Sequence, residues 1–309
     1  MTTFIHIGAP KTATTYIQAF LDVNRERLEK LGTGVVLPKQ IRESTCYKYH
    51  VSKHMGFKRN VTLEEAIDNF NKHTSGFPNV IISEEGLTHD LMPSPKTKGA
   101  FGGVRAAAES LAELSSGNAT IVLSIRRQDS YITSCYKHKI KWQGQGLTYP
   151  EYFFNGVDVF GLSWKSVIDE FERCFPGRVK VVPFELIKVD ARRYLDYFLK
   201  VCGIEAGEGV FDYEVPGHVK NESLTDVETV FLRGVNRELA RLTEIDSGKR
   251  FELIKMVSTL MIGVDGEKHR IRLPQHWKNR IIELYKEENM GIIDAYCSDI
   301  ADCVSGYYA

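Results

Sequence analysis

The sequence lacks an excess of charge of either sign, and it lacks a long apolar run. Its 40 Lys and Arg residues balance 40 Asp and Glu residues over 309 positions. That balance excludes the large positive excess typical of a nucleic-acid coat protein. No apolar stretch reaches the length of a membrane span, and the first residues do not resemble a signal peptide. We therefore expect a cytoplasmic protein with no membrane span and no nucleic-acid partner.

Cysteine is scarce, and its spacing fits neither a metal site nor a disulfide framework. The six cysteines are scattered without a CxxC pair or zinc-ligand spacing, so we interpret them as reduced thiols that act as small hydrophobic residues. Internal repeats and low-complexity segments are also lacking. Hydrophobic residues make up 43% of the chain, which suffices for a core. We expect a folded globular protein without a metal site.

Short apolar segments alternate with helical patterns over the first two thirds of the chain. The predicted strands are Thr3–Ile7, Gly34–Leu37, Asn79–Ser83, Ala119–Ile125 and Val179–Phe184. The predicted helices between them are one running from the turn after the first strand to about Leu31, Leu63–His73, Val104–Leu114, one starting near Asp129, Trp164–Cys174 and Ala191–Val201. This alternation predicts an α/β fold with a central parallel sheet covered by helices on both faces.

The remaining segments complete the predicted organisation. Residues 39–60 have no regular pattern, and Lys141–Gly146 is predicted to be a loop. From about residue 225 the pattern is mostly helical, over Asp226–Thr243, Phe251–Leu260 and Gln275–Cys297. Because composition does not shift sharply anywhere, we expect a single domain over residues 1–309 with additional C-terminal helices.

The turn after the first predicted strand has the chemistry of an anion site. Residues 8–15 read Gly-Ala-Pro-Lys-Thr-Ala-Thr-Thr, with a mobile cation at Lys11 and hydroxyls at Thr12, Thr14 and Thr15. A loop that enters a helix offers unpaired N–H groups and the positive end of a dipole to phosphate. The nucleotide P-loop needs a second glycine before its lysine, which is missing here. A threonine-rich helix start without ligand is the alternative, since threonine caps helices well.

A second predicted strand–helix turn carries a residue suited to phosphate. Arg126 follows the strand Ala119–Ile125, and Ser134 lies eight residues further on, about a turn inside the next helix. The planar guanidinium donates two charge-assisted hydrogen bonds to phosphate oxygens. Taken alone, an arginine at a strand end is more often an ion-paired surface residue. Together with the first turn, in this order, it predicts a ligand with two separate anionic groups.

These two motifs together resemble those of the PAPS-dependent sulfotransferase superfamily, in its bacterial form. The first is similar to that family's Pro-Lys-[Ser/Thr]-[Gly/Ala]-Thr-Thr loop for the 5′-phosphosulfate, and the second to its Arg-x7-Ser motif for the 3′-phosphate. The resemblance implies a three-layer, P-loop-like fold. It also implies sulfuryl transfer from 3′-phosphoadenosine 5′-phosphosulfate (PAPS) to a hydroxyl or amine by in-line displacement, which leaves adenosine 3′,5′-bisphosphate.

Donor-binding positions follow from the resemblance. They are Pro10, Lys11, Thr12, Ala13, Thr14, Thr15, Arg126 and Ser134. The family's C-terminal Gly-x-x-Gly-x-Trp-Lys loop is not present, and Trp277-Lys278 shares only the dipeptide, so no role is transferred to it. The segment His218–Ser223 is expected in the equivalent place, with Lys220 near the 3′-phosphate.

Sulfuryl transfer needs charge stabilisation on the leaving phosphate and a general base for the acceptor. We expect Lys11 to supply the first. The resemblance places the base at the end of a middle strand, where Glu84 is the first choice, and at most one of the adjacent pair Glu84 and Glu85 should face the site. His50 and His54 are rival bases in an aromatic, basic segment that we expect to be a loop beside the acceptor, unless that segment is simply solvated.

The acceptor is expected to be a carbohydrate or another small metabolite. A second basic stretch carries Lys137, Lys139 and Lys141 with His138 and Trp142, and is interpreted as a solvated face or an anion-attracting rim. Two alternatives remain open: a P-loop-type nucleotide kinase or NTPase, disfavoured by the missing glycine and by no clear acidic Mg²⁺ partner, and a catalytically inactive nucleotide-binding protein.

Overall fold

Five parallel strands form the centre of the molecule. The computed structural model describes residues 2–55, 60–88, 101–205, 213–216, 224–241, 246, 248–249, 252–253, 256–257, 271 and 273–309. The strands are β1 (Thr2–Gly8), β2 (Thr33–Val36), β3 (Asn79–Ser83), β4 (Thr120–Ile125) and β5 (Val179–Pro183). They lie in the order β2-β3-β1-β4-β5, and every neighbouring pair is parallel. Each strand lies within two residues of its predicted bounds.

Helices connect the strands and continue past the last one. Among the described residues they are α1 (Thr14–Val23), α2 (Arg25–Lys30), α3 (Pro38–Ile41), α4 (Thr45–Met55), α5 (Leu63–Thr74), α6 (Val104–Ser115), α7 (Gln128–Gln143), α8 (Tyr149–Gly156), α9 (Trp164–Cys174), α10 (Leu186–Val189), α11 (Ala191–Val201), α12 (Asp226–Arg241), α13 (Gln275–Tyr296) and α14 (Ala301–Tyr308). Short 3-10 turns cover Glu85–Leu87, Val159–Gly161 and Ser298–Ile300.

Burial of consecutive strand residues shows that helices cover both faces of the sheet. In β1 every residue from Thr3 to Gly8 is buried, although alternate side chains point to opposite faces. Parallel strands buried on both sides read as continuous apolar runs, which is the pattern that predicted them. The α/β fold with a central parallel sheet and C-terminal helices is therefore confirmed.

One buried histidine joins the three central strands. The Nδ1 atom of His6 lies 2.8 Å from the hydroxyl of Ser83 in β3, and its Nε2 atom lies 3.0 Å from the hydroxyl of Ser124 in β4. Burial lowers the pKa of His6 to about 3. The ring is therefore neutral near pH 7 and serves as a polar link inside the sheet.

The register of the sheet brings three turns to one edge. His6 pairs with Ser83, and Gly8 pairs with Ser124, so β1, β3 and β4 end close together. Ligands of open α/β sheets bind at this carboxyl edge. The turns after these three strands carry the residues that the sequence motifs single out.

The C-terminal helices pack behind the turn after β4. The side-chain amides of Gln128 in α7 and Asn289 in α13 exchange two hydrogen bonds of 3.1 and 2.9 Å. The hydroxyl of Tyr308 in α14 donates to one carboxylate oxygen of Glu185, whose other oxygen accepts from the backbone N–H of Arg127. These buried contacts fix the start of α7.

Three predicted segments differ from the structure. Residues 39–60, expected to be irregular, contain most of α3 and all of α4. The helix expected to run to Leu31 is interrupted at Asn24, whose amide donates to the carbonyls of Phe20 and Glu214. Helix α7 extends into the predicted loop at 141–146 and ends at Gln143, and the following Gly144 adopts the left-handed conformation. Most of the predicted helix at 251–260 lies outside the described residues.

Candidate active site

The turn between β1 and α1 is shaped by two residues in the left-handed region. Lys11 has a φ of 75° and Ala13 a φ of 64°, a conformation that is uncommon for residues other than glycine. Gly8 must be glycine, because a Cβ there would lie 2.7 Å from the Thr12 hydroxyl oxygen and 2.9 Å from Thr14 Cγ2. The chain can therefore fold tightly before α1 begins.

Thr12 stabilises this turn from inside. Its side chain is fully buried, and its hydroxyl donates to the carbonyl of Ala9 at 2.7 Å. The hydroxyl of Tyr194 donates to the carbonyl of Thr12. Thr12 is therefore not among the residues that line the cavity described below, and its side chain shapes the loop. A contact between Thr12 and the donor stays a prediction.

The rest of the turn faces a cavity of about 510 Å³. The predicted residues that line it here are Pro10, Lys11, Ala13, Thr14 and Thr15. The first N–H groups of any helix have no partner within that helix, and they carry the positive end of its dipole. At α1 these groups lie beside the Lys11 side chain, so the turn has the composition of an anion site.

Arg126 connects the turn after β4 to the same cavity. Its Nη1 atom donates to the carbonyl of Lys11 at 2.9 Å, and its Nε atom donates to the hydroxyl of Ser130 at 2.9 Å. The guanidinium lies 4.2 Å from the centre of the Phe184 ring. Ser134 lines the cavity beside Arg126. The structure therefore brings both sequence motifs together.

A second cavity of about 460 Å³ adjoins the first. The two share Arg126, Ser134 and Lys137 among their lining residues. The second extends to Gln275 and Lys278 at the start of α13. The guanidinium of Arg126 thus lies between two spaces, and an elongated ligand that extends through both would contact it near the middle.

Helix α7 contributes a cationic wall. Lys137, His138, Lys141 and Trp142 line the first cavity, where the sequence suggested at most a rim. Lys137 is half-buried, forms an ion pair with Asp226 at 2.8 Å and donates to a backbone carbonyl at 2.9 Å. The spacing of four between Lys137 and Lys141 was the signal that both lie on one helix face.

Burial and clustering of these cations lower two pKa values. Burial lowers the pKa of Lys11, and the nearby Arg126 and Lys141 lower it further, while Cys135 and Glu85 oppose the shift. Burial lowers the pKa of His138 to about 4, with Lys11 and two other lysines adding to the effect. His138 is therefore neutral near pH 7 and a weak base.

The carboxylate in the cavity belongs to Glu85, and not to Glu84. The Glu85 Oε2 atom accepts a hydrogen bond from the hydroxyl of Thr14 at 2.9 Å, and the side chain lines the cavity. Glu84 is fully buried, and both its oxygens accept from Arg42, at 2.7 and 2.9 Å. The first choice for the base is therefore corrected: the chain passes from β3 into a 3-10 turn at Glu85, which turns this second carboxylate toward the site.

The histidines proposed as rival bases do not lie in the described cavity wall. His50 is buried in α4, with Nδ1 2.5 Å from the Ser110 hydroxyl and Nε2 donating to the carbonyl of Leu87 at 2.8 Å. The segment expected to be a loop beside the acceptor is helical, and Tyr49 and His50 face the core. The side chain of His54 and the whole of Lys220 lie outside the described residues.

Within the described part of the chain, no group of three or more His, Cys, Asp or Glu side chains could hold a metal ion. None of the helices in those same ranges is long and apolar enough to cross a membrane. The six cysteines are free thiols, and four of them are buried.

Comparison with known proteins gives a likeness to solved structures. No protein-family model and no curated protein matches this sequence. Among solved structures, a sulfotransferase from Alicyclobacillus acidocaldarius is similar, with a TM-score of 0.43 and 14% sequence identity, over 81% of this chain and 99% of that one. A likeness at this level carries no argument for activity, which has to come from the chemistry of the site.

Proposed function

We propose that this protein transfers a sulfuryl group from PAPS to a hydroxyl or amine acceptor. The observation that carries the proposal is the hydrogen bond from Arg126 to the carbonyl of Lys11 at 2.9 Å. It joins the turns after β1 and β4 at one cavity, so the molecule offers two anion-binding positions to one ligand. PAPS carries anionic groups at two separate positions, the 5′-phosphosulfate and the 3′-phosphate.

The residues present fit such a donor. Lys11, the hydroxyl of Thr15 and the backbone N–H groups at the N-terminus of α1, that of Thr14 included, would hold the phosphosulfate. Arg126 and Ser134 would hold the 3′-phosphate, at the boundary with the second cavity. When bound, PAPS supplies a sulfuryl group whose bond to the 5′-phosphate oxygen breaks during transfer.

Each side chain then has a defined task. Glu85 accepts the proton of the acceptor hydroxyl while that oxygen forms its bond to sulfur. The electron pair of the broken bond stays with the phosphate, and Lys11 stabilises the negative charge that develops there. The hydroxyl of Thr14 donates to Glu85 at 2.9 Å, which holds the carboxylate beside the anion site.

Glu85 is preferred to its rivals on geometry. Among the described residues that line the cavity, it contributes the one carboxylate. Glu84 has both oxygens engaged by Arg42, and His138 is a weak base because its pKa is lowered to about 4. A general base must reach the proton that it abstracts, so position decides first.

The cavity also suits the expected acceptor class, a carbohydrate or small metabolite. The rings of Tyr16 and Trp142 line it, and Lys137 and Lys141 add positive charge. Aromatic faces pack against apolar faces of sugar or phenol rings, and cations favour acceptors with an acidic group.

Isothermal titration calorimetry with the desulfated product tests the donor assignment. We expect adenosine 3′,5′-bisphosphate to bind without magnesium, with a Kd at least about a hundredfold below that of ATP. Radiolabelled PAPS with a panel of phenols and oligosaccharides then tests transfer. Tight, magnesium-dependent binding of ATP would favour a kinase or NTPase. Bisphosphate binding without transfer to any acceptor would favour an inactive binding protein.

A further inference from the structure

We propose that the ion pair between Arg42 and Glu84 positions Glu85 for catalysis. This inference rests on the proposed function, because Glu85 is the base in that reaction. Glu84 does not contact the cavity, and Arg42 belongs to the end of α3, so neither residue is catalytic. Their effect is exerted through the short 3-10 turn that carries Glu85.

Glu84 holds the chain on both sides of Glu85 through two hydrogen bonds. Its Oε1 atom accepts from the backbone N–H of Gly86 at 2.6 Å, on the far side of Glu85. The backbone N–H of Glu84 donates to the carbonyl of His6 in β1 at 3.1 Å. Glu85 is therefore held between Glu84, which is hydrogen-bonded to the sheet, and Gly86, which is hydrogen-bonded to the Glu84 carboxylate.

Arg42 fixes the orientation of that carboxylate. Two hydrogen bonds, from Nε at 2.7 Å and from Nη2 at 2.9 Å, leave Glu84 a single rotational setting. The Glu84 side chain is 0% exposed, whereas the Arg42 side chain is 51% exposed. A buried carboxylate needs a charged partner, and Arg42 supplies it from the surface.

The sequence around the turn fits this arrangement closely. A Cβ at Gly86 would lie 2.5 Å from the Tyr47 hydroxyl oxygen and 2.8 Å from Glu84 Oε1. A side chain at position 86 would therefore displace the Tyr47 hydroxyl and the Glu84 carboxylate. Glycine at this position keeps the hydrogen bond from its N–H to Glu84, and with it the turn that carries Glu85.

Other contacts hold the far end of the turn. His50 donates to the carbonyl of Leu87 at 2.8 Å, and the hydroxyl of Thr88 donates to the carbonyl of Glu85 at 2.9 Å. Loss of Arg42 should therefore loosen the start of the turn without releasing all of it. A small displacement of a general base is enough to slow a reaction, since proton transfer requires hydrogen-bond reach.

The test uses Arg42→Met, which removes the charge but keeps an unbranched side chain, and Arg42→Lys, which keeps the charge but loses the paired geometry. The matched control is Arg173→Met. The Arg173 side chain is 44% exposed and pairs with Glu109 and Glu170, none of which lines either cavity. Three quantities are measured: kcat for bisphosphate release from PAPS with the acceptor panel or water, the Kd of the bisphosphate, and hydrogen–deuterium exchange of peptide 84–88.

We expect kcat to fall about thirtyfold in Arg42→Met and less in Arg42→Lys, because the base is misplaced but not removed. The Kd of the bisphosphate should stay within about twofold of the wild-type value, and peptide 84–88 should exchange faster. Millimolar methylguanidinium should restore part of kcat, since the site of Arg42 is open to solvent. Arg173→Met should leave all three quantities unchanged.

An unchanged kcat in Arg42→Met would overturn the inference, and so would parallel losses of kcat and bisphosphate affinity. Hydrogen–deuterium exchange is measured without turnover, so failure of the positioning role can be distinguished from failure of the proposed function. A wild-type protein that transfers sulfuryl groups to no acceptor contradicts the proposed function. Wild-type transfer combined with unchanged exchange at 84–88 in the variant contradicts the positioning role alone.

Discussion

Two neighbouring turns at the carboxyl edge of the sheet are built in different ways. The turn after β1 is held by its own residues, through the hydrogen bond from Thr12 to Ala9 and the left-handed conformation of Lys11 and Ala13. Side chains from elsewhere, Arg126 and Tyr194, donate only to its backbone carbonyls. The turn after β3 is held by side chains from elsewhere, Arg42 and His50. The difference lies in what the distant side chains hold: backbone carbonyls in the first turn, and in the second also the carboxylate of Glu84, next to the one that lines the cavity.

The two turns also carry opposite charges at close range. The first presents Lys11 and the N-terminus of α1, and the second presents Glu85. The hydroxyl of Thr14, the first residue of α1, donates to Glu85 and so connects them. Stabilising a leaving anion and accepting a proton are different tasks, and the proposed function assigns one to each turn.

Removing the cation of the first turn should give the largest effect. Lys11→Ala leaves the developing charge on the phosphate without its ammonium partner, so kcat should fall by about a thousandfold. Initial rates with radiolabelled PAPS measure this. Lys165→Ala is the control, because that ammonium pairs with Asp169 on an exposed face of α9. Turnover near the wild-type rate in Lys11→Ala would show that the first turn does not perform the task assigned to it.

Neutralising the carboxylate of the second turn should give the next largest effect. Glu85→Gln keeps the shape but cannot accept the proton, so kcat should fall by about a hundredfold. The Kd of the bisphosphate, measured by calorimetry, should not change. Glu172→Gln is the control, because Glu172 also accepts from a hydroxyl, that of Tyr296, and does not line the cavity. If Glu85→Gln weakens the bisphosphate and leaves kcat intact, the two turns do not divide the tasks.

A smaller effect is expected at the turn after β4, where Arg126 donates to the carbonyl of Lys11 in the first turn. Arg126→Ala removes charge-assisted hydrogen bonds to the 3′-phosphate, so the bisphosphate should bind about thirtyfold more weakly. Adenosine 5′-phosphosulfate, which lacks the 3′-phosphate, should lose only a few-fold through the lost bond to Lys11. Calorimetry with both ligands distinguishes the contributions. Equal losses would mean that Arg126 only shapes the first turn.

The donor side of the site could be predicted because its signals are local. A strand, a turn with Lys11 and a helix start are read directly from neighbouring residues, as is the spacing from Arg126 to Ser134. The role of the Thr12 side chain could not be read from the sequence, because a hydroxyl that donates to its own turn looks the same there as one that faces a ligand. The spacing of Lys137 and Lys141 predicted that they share a helix face, but it did not predict the cavity beside that face.

The acceptor side could not be predicted to the same depth. Glu84 and Glu85 are adjacent and chemically identical. Successive side chains of a strand point to opposite faces, but this rule does not say which of the two carboxylates faces the site. His50 was expected near the acceptor because its segment looked irregular, yet α4 turns it into the core. The missing information was the contact with Arg42, Ser110 and Leu87 across long stretches of chain.

The amino-acid order alone determined the strand–helix alternation and the two anion-binding turns, because both depend on periodicity and on backbone geometry within about ten residues. Tertiary structure alone decided that Arg126 donates to the carbonyl of Lys11 and that Glu85 enters the cavity while Glu84 is buried. These choices depend on sheet register and on partners far away in sequence, and no local pattern encodes them.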